Sequence, residues 1–384
     1  MKTVLFVSHT AELNGAELWL LETLKGLDRA KYTPLLALPG PGIFEDAARA
    51  ADIETVRVPL VWWITERSGL WKGPAAGILT RRHAERLAAL AGEKKASMMF
   101  SNSAAVAAGA LAAQKAGLPH VWAVHELLAG PRAHLFYWRG PGRLARFIVD
   151  HSCRVIVNSR ACAAAFPPSD KIALVYNGVK RKSYPSERLA DVRREYGFVA
   201  GAPVIGVVGK IYERKKQADV IRAAALLAGE YPDLNVLIVG ETRDKRYGAR
   251  LKRLAASLGL AGRVKFAGYR HDLTGQLKIM SVLAVASTIE SFGRTAIDAM
   301  AAGTPVVAVP SGGLTEIIED GLNGILASRT GPEDLAAGIR RVLSDPTLAA
   351  AVIDNGYRTI DTRFSLSVQV RGVEAVLDAC GGAR

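Results

Sequence analysis

Short apolar runs alternate with amphipathic stretches along the whole chain. In the first half the runs are Val4–Ser8, Pro34–Leu38, Thr55–Val58, Ser97–Ser101, His120–Val124, Val155–Val157 and Ile172–Tyr176. Several are apolar at successive positions, as in strands covered on both faces. Between them lie helical patterns such as Ala16–Gly26, with Leu18, Leu21 and Leu24 at helical spacing. A β-then-α rhythm predicts a parallel, doubly wound sheet. The rhythm restarts after Lys180, with runs at Val204–Val208, Val236–Val239, Val264–Phe266, Val282–Ala286, Val306–Val309 and Ile325–Ala327. The expected fold class is therefore α/β: two Rossmann-like, doubly wound parallel-sheet domains. Asn177-Gly178 is a turn signal, and polar Lys180–Pro185 reads as the linker. Ligands of such sheets bind beyond the C-terminal strand edges, so a cleft between the domains would face both sets of edges.

Length supports this picture: 384 residues is room for two full cores at roughly 150 residues per domain. Fifty Lys and Arg against 36 Asp and Glu give a formal charge of +14. The excess is uneven, with 24 cations and 14 acids in residues 1–185 against 26 and 22 in the remainder. A basic first half points to an anionic partner. The three cysteines, Cys153, Cys162 and Cys380, form no C-x-x-C pair, and a sparse, odd count argues for a reducing compartment rather than a disulfide framework. No run is long and apolar enough for a membrane span, and the amino terminus has no signal-peptide core, so a cytoplasmic protein is expected.

The strongest chemical segment runs from Glu290 to Ala308. A strand ends near Ala286, a loop carries Glu290, and a helix is expected to start near Phe292–Gly293 and stop at Gly303. Backbone N–H groups near Gly293, Arg294 and Thr295 would then form a phosphate site. Asp298, further along that helix, is placed to accept hydrogen bonds from a ribose. A second phosphate-binding candidate follows the first strand of the second half, where Gly209 is succeeded by Lys210, Arg214, Lys215 and Lys216. This is no P-loop, because G-x-x-x-x-G-K-[ST] is absent. In the first half, Asn14-Gly15-Ala16-Glu17 opens a helix, and His125 follows a strand, as does His9. His120 and His125 lie on opposite faces of one strand and make a poor metal pair.

Together these segments resemble the retaining glycosyltransferases of family 4, which have the GT-B fold. Glu290-Ser-Phe-Gly293, an acid eight positions on at Asp298, and Ala299-Met-Ala-Ala-Gly-Thr-Pro-Val-Val307 are similar to the family's acidic motif. Asn14-Gly-Ala-Glu17, Val124-His-Glu126, Tyr176-Asn-Gly-Val179, Gly209–Lys215, Gly312–Glu316 and Asp320–Gly324 resemble further family segments in the expected order. The departures are Asp298 for the usual Glu, Lys210 for the usual Arg, Lys216 for a usual Gly, Asn14 for a Gly and Lys180 for an Asp. The resemblance implies an acceptor-binding first domain, residues 1–183, to which a helix at about 364–384 returns, and a nucleotide-sugar-binding domain, residues 184–363. It also implies that His125 and Glu290 act at the reacting sugar. Gly15, Gly209, Lys210, Lys215, Phe292, Gly293, Arg294, Thr295 and Asp298 would bind substrate. Transfer from a nucleotide-diphosphate-sugar would retain configuration, with no cofactor; cations and the helix N-terminus, rather than a metal, would stabilise the diphosphate.

Two other readings use the same residues differently: a GT-B nucleotide-sugar 2-epimerase, and a basic nucleic-acid-binding protein. The second has no motif behind it, so nucleic acid is not an expected partner. A glycan or lipid-linked acceptor is. Residues 131–147 join aromatics to Arg132, Arg139, Arg143 and Arg146, and with Trp62-Trp63, Trp71-Lys72 and Arg81-Arg82 they raise the expectation of docking on an anionic membrane surface.

Overall fold

A computed structural model describes residues 1–66, 73–128, 135–137 and 140–381. The chain forms two compact units, Met1–Gly178 with Leu366–Arg384, and Val179–Ser365. The division falls after Gly178, inside the Asn-Gly turn segment, earlier than the linker at Lys180–Pro185.

The strands of the first unit are β1 (Lys2–Ser8), β2 (Tyr32–Leu38), β3 (Glu54–Arg57), β4 (Thr65–Glu66), β5 (Met98–Asn102), β6 (His120–Val124), β7 (Leu135–Phe136), β8 (Arg154–Val157) and β9 (Ile172–Leu174). Seven form one sheet in the order β3-β2-β1-β5-β6-β8-β9, while β4 and β7 pair separately. Every pairing in the seven-stranded sheet is parallel. Val4 and Phe6 join a core with Trp19, Leu20 and Leu24 on one face; Leu5 and Val7 join Leu87, Met99 and Ala112 on the other. Two buried faces explain why β1 is apolar at successive positions.

The second unit holds β10 (Val204–Val208), β11 (Asn235–Val239), β12 (Val264–Gly268), β13 (Val282–Val285), β14 (Val306–Ala308) and β15 (Ile325–Leu326). Their order is β12-β11-β10-β13-β14-β15, again all parallel. In both sheets the strand order reverses beside the first strand, between β1 and β5 and between β10 and β13. Such reversal points leave a crevice at the carboxyl ends of the strands, where ligands of doubly wound sheets bind.

The helix Leu366–Gly381 belongs to the first unit, where Val373, Val376 and Leu377 join the core of Phe6 and Trp19. Buried Gln369 ties it down: Nε2 donates to Trp19 O at 3.1 Å and Thr23 Oγ1 at 2.7 Å, and Oε1 accepts from Gly178 N–H at 2.6 Å. The cysteine expectation is corrected here. Cys153, beside β8, forms a disulfide with Cys380 on this helix, across 227 residues of sequence, while Cys162 is buried and free. The fold, not local spacing, creates the pair, and the cysteine argument for a reducing compartment falls with it. Among the described residues no helix is long and apolar enough to cross a membrane.

Candidate active site

At the crevice of the second unit, Gly209 follows β10 in a left-handed conformation (φ 138°). Its N–H donates to Val239 O at 2.9 Å. Gly240 packs so closely on it that a Cβ there would lie 2.1 Å from Gly209 O. The next backbone unit is fixed by buried Gln217, whose Nε2 donates to Lys210 O at 3.0 Å. A 3-10 turn, Glu213–Lys215, then carries Lys215 back to an ion pair with Glu290. Burial by itself would lower the Lys215 ammonium, but the Glu290 carboxylate outweighs it and holds the pKa above the ordinary lysine value. Lys216 adopts φ 53°, which favours glycine and accounts physically for the glycine usual there in the family it resembles.

The helix after Glu290 spans Arg294–Ala302, with left-handed Gly293 at its N-cap and Gly303 at its C-cap. The Ala296 N–H makes the first return bond, to Gly293 O at 2.9 Å. Beneath the loop run Gly312 and Gly313. A Cβ on Gly312 would lie 1.8 Å from Glu290 O, and one on Gly313 2.5 Å from Phe292 Cα. Gly313 N–H donates to Glu290 O at 3.2 Å. Two glycines thus seat the backbone that carries the acid.

Phe292 turns inward, 1% exposed and edge-on to Phe364 at 5.7 Å, so its side chain is not available to a ligand. Asp298 is held by Lys182 Nζ at 2.9 Å and Arg294 Nε at 3.7 Å. A carboxylate has lone pairs for about four hydrogen bonds, so capacity for a ribose hydroxyl remains. Lys182 belongs to the polar linker and carries no local signal of this role; its backbone N–H also donates to Ala301 O at 2.9 Å, docking that linker on the helix. Thr295 is half-buried in the helix's first turn.

At the crevice of the first unit, Asn14 caps the helix Gly15–Gly26 through a reciprocal capping box with Glu17. A Cβ on Gly15 would meet nothing within 4 Å, so this glycine borders open space. Glu17, 1% exposed, lies 3.2 Å from His9 Nδ1. Burial pushes the carboxyl up to about 7 and the imidazole down to about 4, so between those values the pair is uncharged. His125 Nε2 lies 2.8 Å from Asn102 Oδ1, and burial takes the ring down to about 3. Glu126 accepts from Ser103 Oγ, from Ala104 N–H at 3.2 Å and from His125 N–H at 3.0 Å. Burial raises its carboxyl more than these bonds lower it. His120 is a core residue, between His151 O at 3.0 Å and Ser101 Oγ at 2.9 Å. Sequence reasoning missed Asn102, because Ser101-Asn102-Ser103 reads as an ordinary strand end.

Three of the expected membrane-facing aromatics, Trp63, Tyr137 and Phe147, pack on one another, whereas Trp62 is 43% exposed. Trp63 packs on Tyr137 at 5.0 Å and Phe147 at 4.8 Å, and Phe147 stacks on His151 at 3.9 Å. These rings fill the space between sheet and helix, as amphipathic packing favours. Arg143 and Arg146 remain exposed on the helix Pro141–Asp150, and Arg81 and Arg82 are exposed too. Trp71, Lys72, Arg132, Trp138 and Arg139 lie outside the described residues.

Comparison with known proteins covers both units. Residues 13–182 match the description Glycosyltransferase Family 4, and residues 190–359 match Glycosyl transferases group 1. A D-inositol 3-phosphate glycosyltransferase of Mycolicibacterium vanbaalenii is 36% identical over 273 residues, 64% of this chain and 60% of the relative's length. A lipopolysaccharide core biosynthesis glycosyltransferase, LpsE of Rhizobium meliloti, is 34% identical over 180 residues, 47% of this chain and 49% of that one. The chain therefore matches less than two thirds of the length of these curated relatives. Among solved structures, Anabaena HepE in complex with UDP is 26% identical, with a TM-score of 0.83 over 99% of this chain and 100% of that one. HepE has also been solved with UDP-glucose. With one family description on each Rossmann-like unit, the chain belongs to the GT-B glycosyltransferases of the family 4 type.

Proposed function

We propose that the protein transfers a sugar, with retention of configuration, from a UDP-sugar to an acceptor hydroxyl. The observation that carries this reading is the Lys215–Glu290 pair at the crevice of the second sheet, beside the N-terminus of the helix Arg294–Ala302. In this reading Lys210, Lys215 and the helix N-terminus hold the diphosphate and stabilise the charge that grows on it as the sugar leaves. A bound diphosphate competes for the Lys215 ammonium and frees the Glu290 carboxylate to orient the sugar. Asp298 accepts from the ribose, and His125 takes a sugar hydroxyl. UDP is the nucleotide named because HepE was solved with UDP and UDP-glucose.

A thermal-shift panel tests the donor. UDP and UDP-glucose should raise the melting temperature where GDP, ADP and their sugars do not, since a ligand that binds only the native state stabilises it. Equal shifts with all three nucleotides would remove the base assignment, and no shift with any would remove the donor site. The 2-epimer of the donor's sugar, formed without acceptor, would indicate epimerisation instead.

The acceptor is proposed to be glycolipid or lipid-linked glycan, with the first unit resting on an anionic membrane. Exposed Arg143 and Arg146 support this, as does the relative named for lipopolysaccharide core biosynthesis. Each surface cation contributes about 1 kcal/mol near an acidic leaflet. Co-sedimentation with phosphatidylglycerol vesicles, absent with phosphatidylcholine and weakened by salt and by Arg143→Glu with Arg146→Glu, is the expected result. Equal recovery in the supernatant with both vesicle types at low salt would point to a soluble acceptor.

A further inference from the structure

We infer that Asn102 fixes the tautomer of His125 and makes this ring a hydrogen-bond acceptor, so that the first unit's crevice selects a ligand hydroxyl that donates. The residue is fully buried, at the carboxyl end of β5 beside the reversal point of the sheet. Its register partner on β6 is Ala123, two positions before His125.

The amide joins two elements. Asn102 Nδ2 donates to Ala16 O at 3.2 Å, and Oδ1 lies 2.8 Å from His125 Nε2. A backbone carbonyl can only accept, so the nitrogen end of the amide must face Ala16. The opposite orientation would set the amide oxygen against the Ala16 carbonyl, two acceptors with no proton between them. The oxygen end therefore faces His125, and because that oxygen only accepts, the ring proton sits on Nε2. A neutral imidazole carries one N–H. The remaining ring nitrogen, Nδ1, then presents a lone pair.

The surroundings keep this arrangement in place. Trp19 meets the ring edge-on, with centroids 4.8 Å apart. Ser103, next to Asn102, takes a left-handed φ of 84°, and its hydroxyl and the following N–H both donate to Glu126. Glu126 in turn accepts from the His125 backbone, not from its ring. The nearby titratable groups are His9, Glu17 and Glu126. His9 and Glu17 face each other, and a charged His9 would oppose a charge on His125. Nothing described there favours an imidazolium, which would donate from both nitrogens and repel a hydroxyl proton.

The consequence for the substrate rests on the proposed glycosyl transfer: the group that meets His125 must be a hydroxyl, and its deoxy or O-methyl counterpart would lose the bond. The tautomer itself does not depend on that reading. Two-bond 1H–15N correlation spectra of the full chain, with the His125 signal identified by its loss in His125→Gln, test it directly. The expected wild-type result is an Nε2–H ring that does not titrate between about pH 5 and 9. Asn102→Asp keeps an acceptor at Nε2 but adds a charge that favours the imidazolium, so its ring should titrate near neutrality. Turnover of UDP-glucose by this variant should be about tenfold lower one unit below that new pKa than well above it, while the wild-type profile stays flat. An Nδ1–H ring in the wild type, or a wild-type ring that titrates near its ordinary value, would overturn the inference. Absence of turnover with every nucleotide-sugar would overturn the proposed function, while the spectra would still decide the tautomer.

Discussion

Lys215→Met should weaken UDP binding by roughly ten- to a hundredfold and also destabilise the free protein. The two effects have separate causes. A hydrogen bond to a charged group contributes about 1.5–3 kcal/mol, and about 1.4 kcal/mol is tenfold in affinity. Without ligand, the same ammonium neutralises Glu290. Its side chain is 23% exposed and that of Glu290 11%. Orphaning one partner of a fully buried pair costs about 3–5 kcal/mol, so about 2 kcal/mol is expected for this partly wet one. Glu290→Gln should behave differently, keeping most UDP affinity while turnover falls by about a hundred- to a thousandfold, as when a preorganised polar group at a reacting centre is removed. Combining the two substitutions removes the orphaned charge, so the double variant should recover stability but neither affinity nor turnover. Melting curves and calorimetric titration with UDP separate these outcomes; unchanged UDP affinity in Lys215→Met would remove Lys215 from the site.

The second large effect is expected at a glycine packed against the Glu290 loop. Gly312→Ala places a Cβ on top of the Glu290 carbonyl, 1.8 Å away, at a backbone φ of 49°. Left-handed backbone costs a non-glycine residue about 1 kcal/mol or more. Overpacking against a backbone atom adds about 1–3 kcal/mol. The loop cannot yield cheaply, because Gly313 N–H is bonded to that same carbonyl. Glu290 must therefore move, and a displacement of about 1 Å at a reacting centre costs on the order of a hundredfold in rate. The expected variant melts earlier and turns over slowly even when saturated with donor. A folded Gly312→Ala protein with normal kcat would show that Glu290 does not need this seat.

The strand runs were legible because a strand buried on both faces is apolar at successive positions. Val204–Val208 and His120–Val124 were expected at the bounds they occupy. The two-residue pair of β4 and β7 carries too little pattern to be seen. Gly209, Lys215, Glu290 and the helix start at Gly293 were legible because each stands where a strand ends or a helix begins. The partners of these groups were not. Lys182 meets Asp298, Asn102 meets His125, and Cys153 meets Cys380 only once the sheets have brought distant segments together. A polar residue's chemistry is local, but its partner is a property of topology. The inward packing of Trp63, Tyr137 and Phe147 was not legible for the complementary reason: these rings look the same in sequence whether they face lipid or one another.

The return of the last helix to the first unit has a consequence for the order in which the protein is made. The second unit, Val179–Ser365, is one continuous stretch and can close as soon as it leaves the ribosome. The first unit cannot, because the segment that covers Phe6 and Trp19 and pairs with Gly178 is translated only afterwards. At about 5–20 residues per second, the intervening stretch takes roughly ten to forty seconds to synthesise. For that interval the nascent sheet of the first unit carries an uncovered apolar strip, and the older half of the polypeptide matures last.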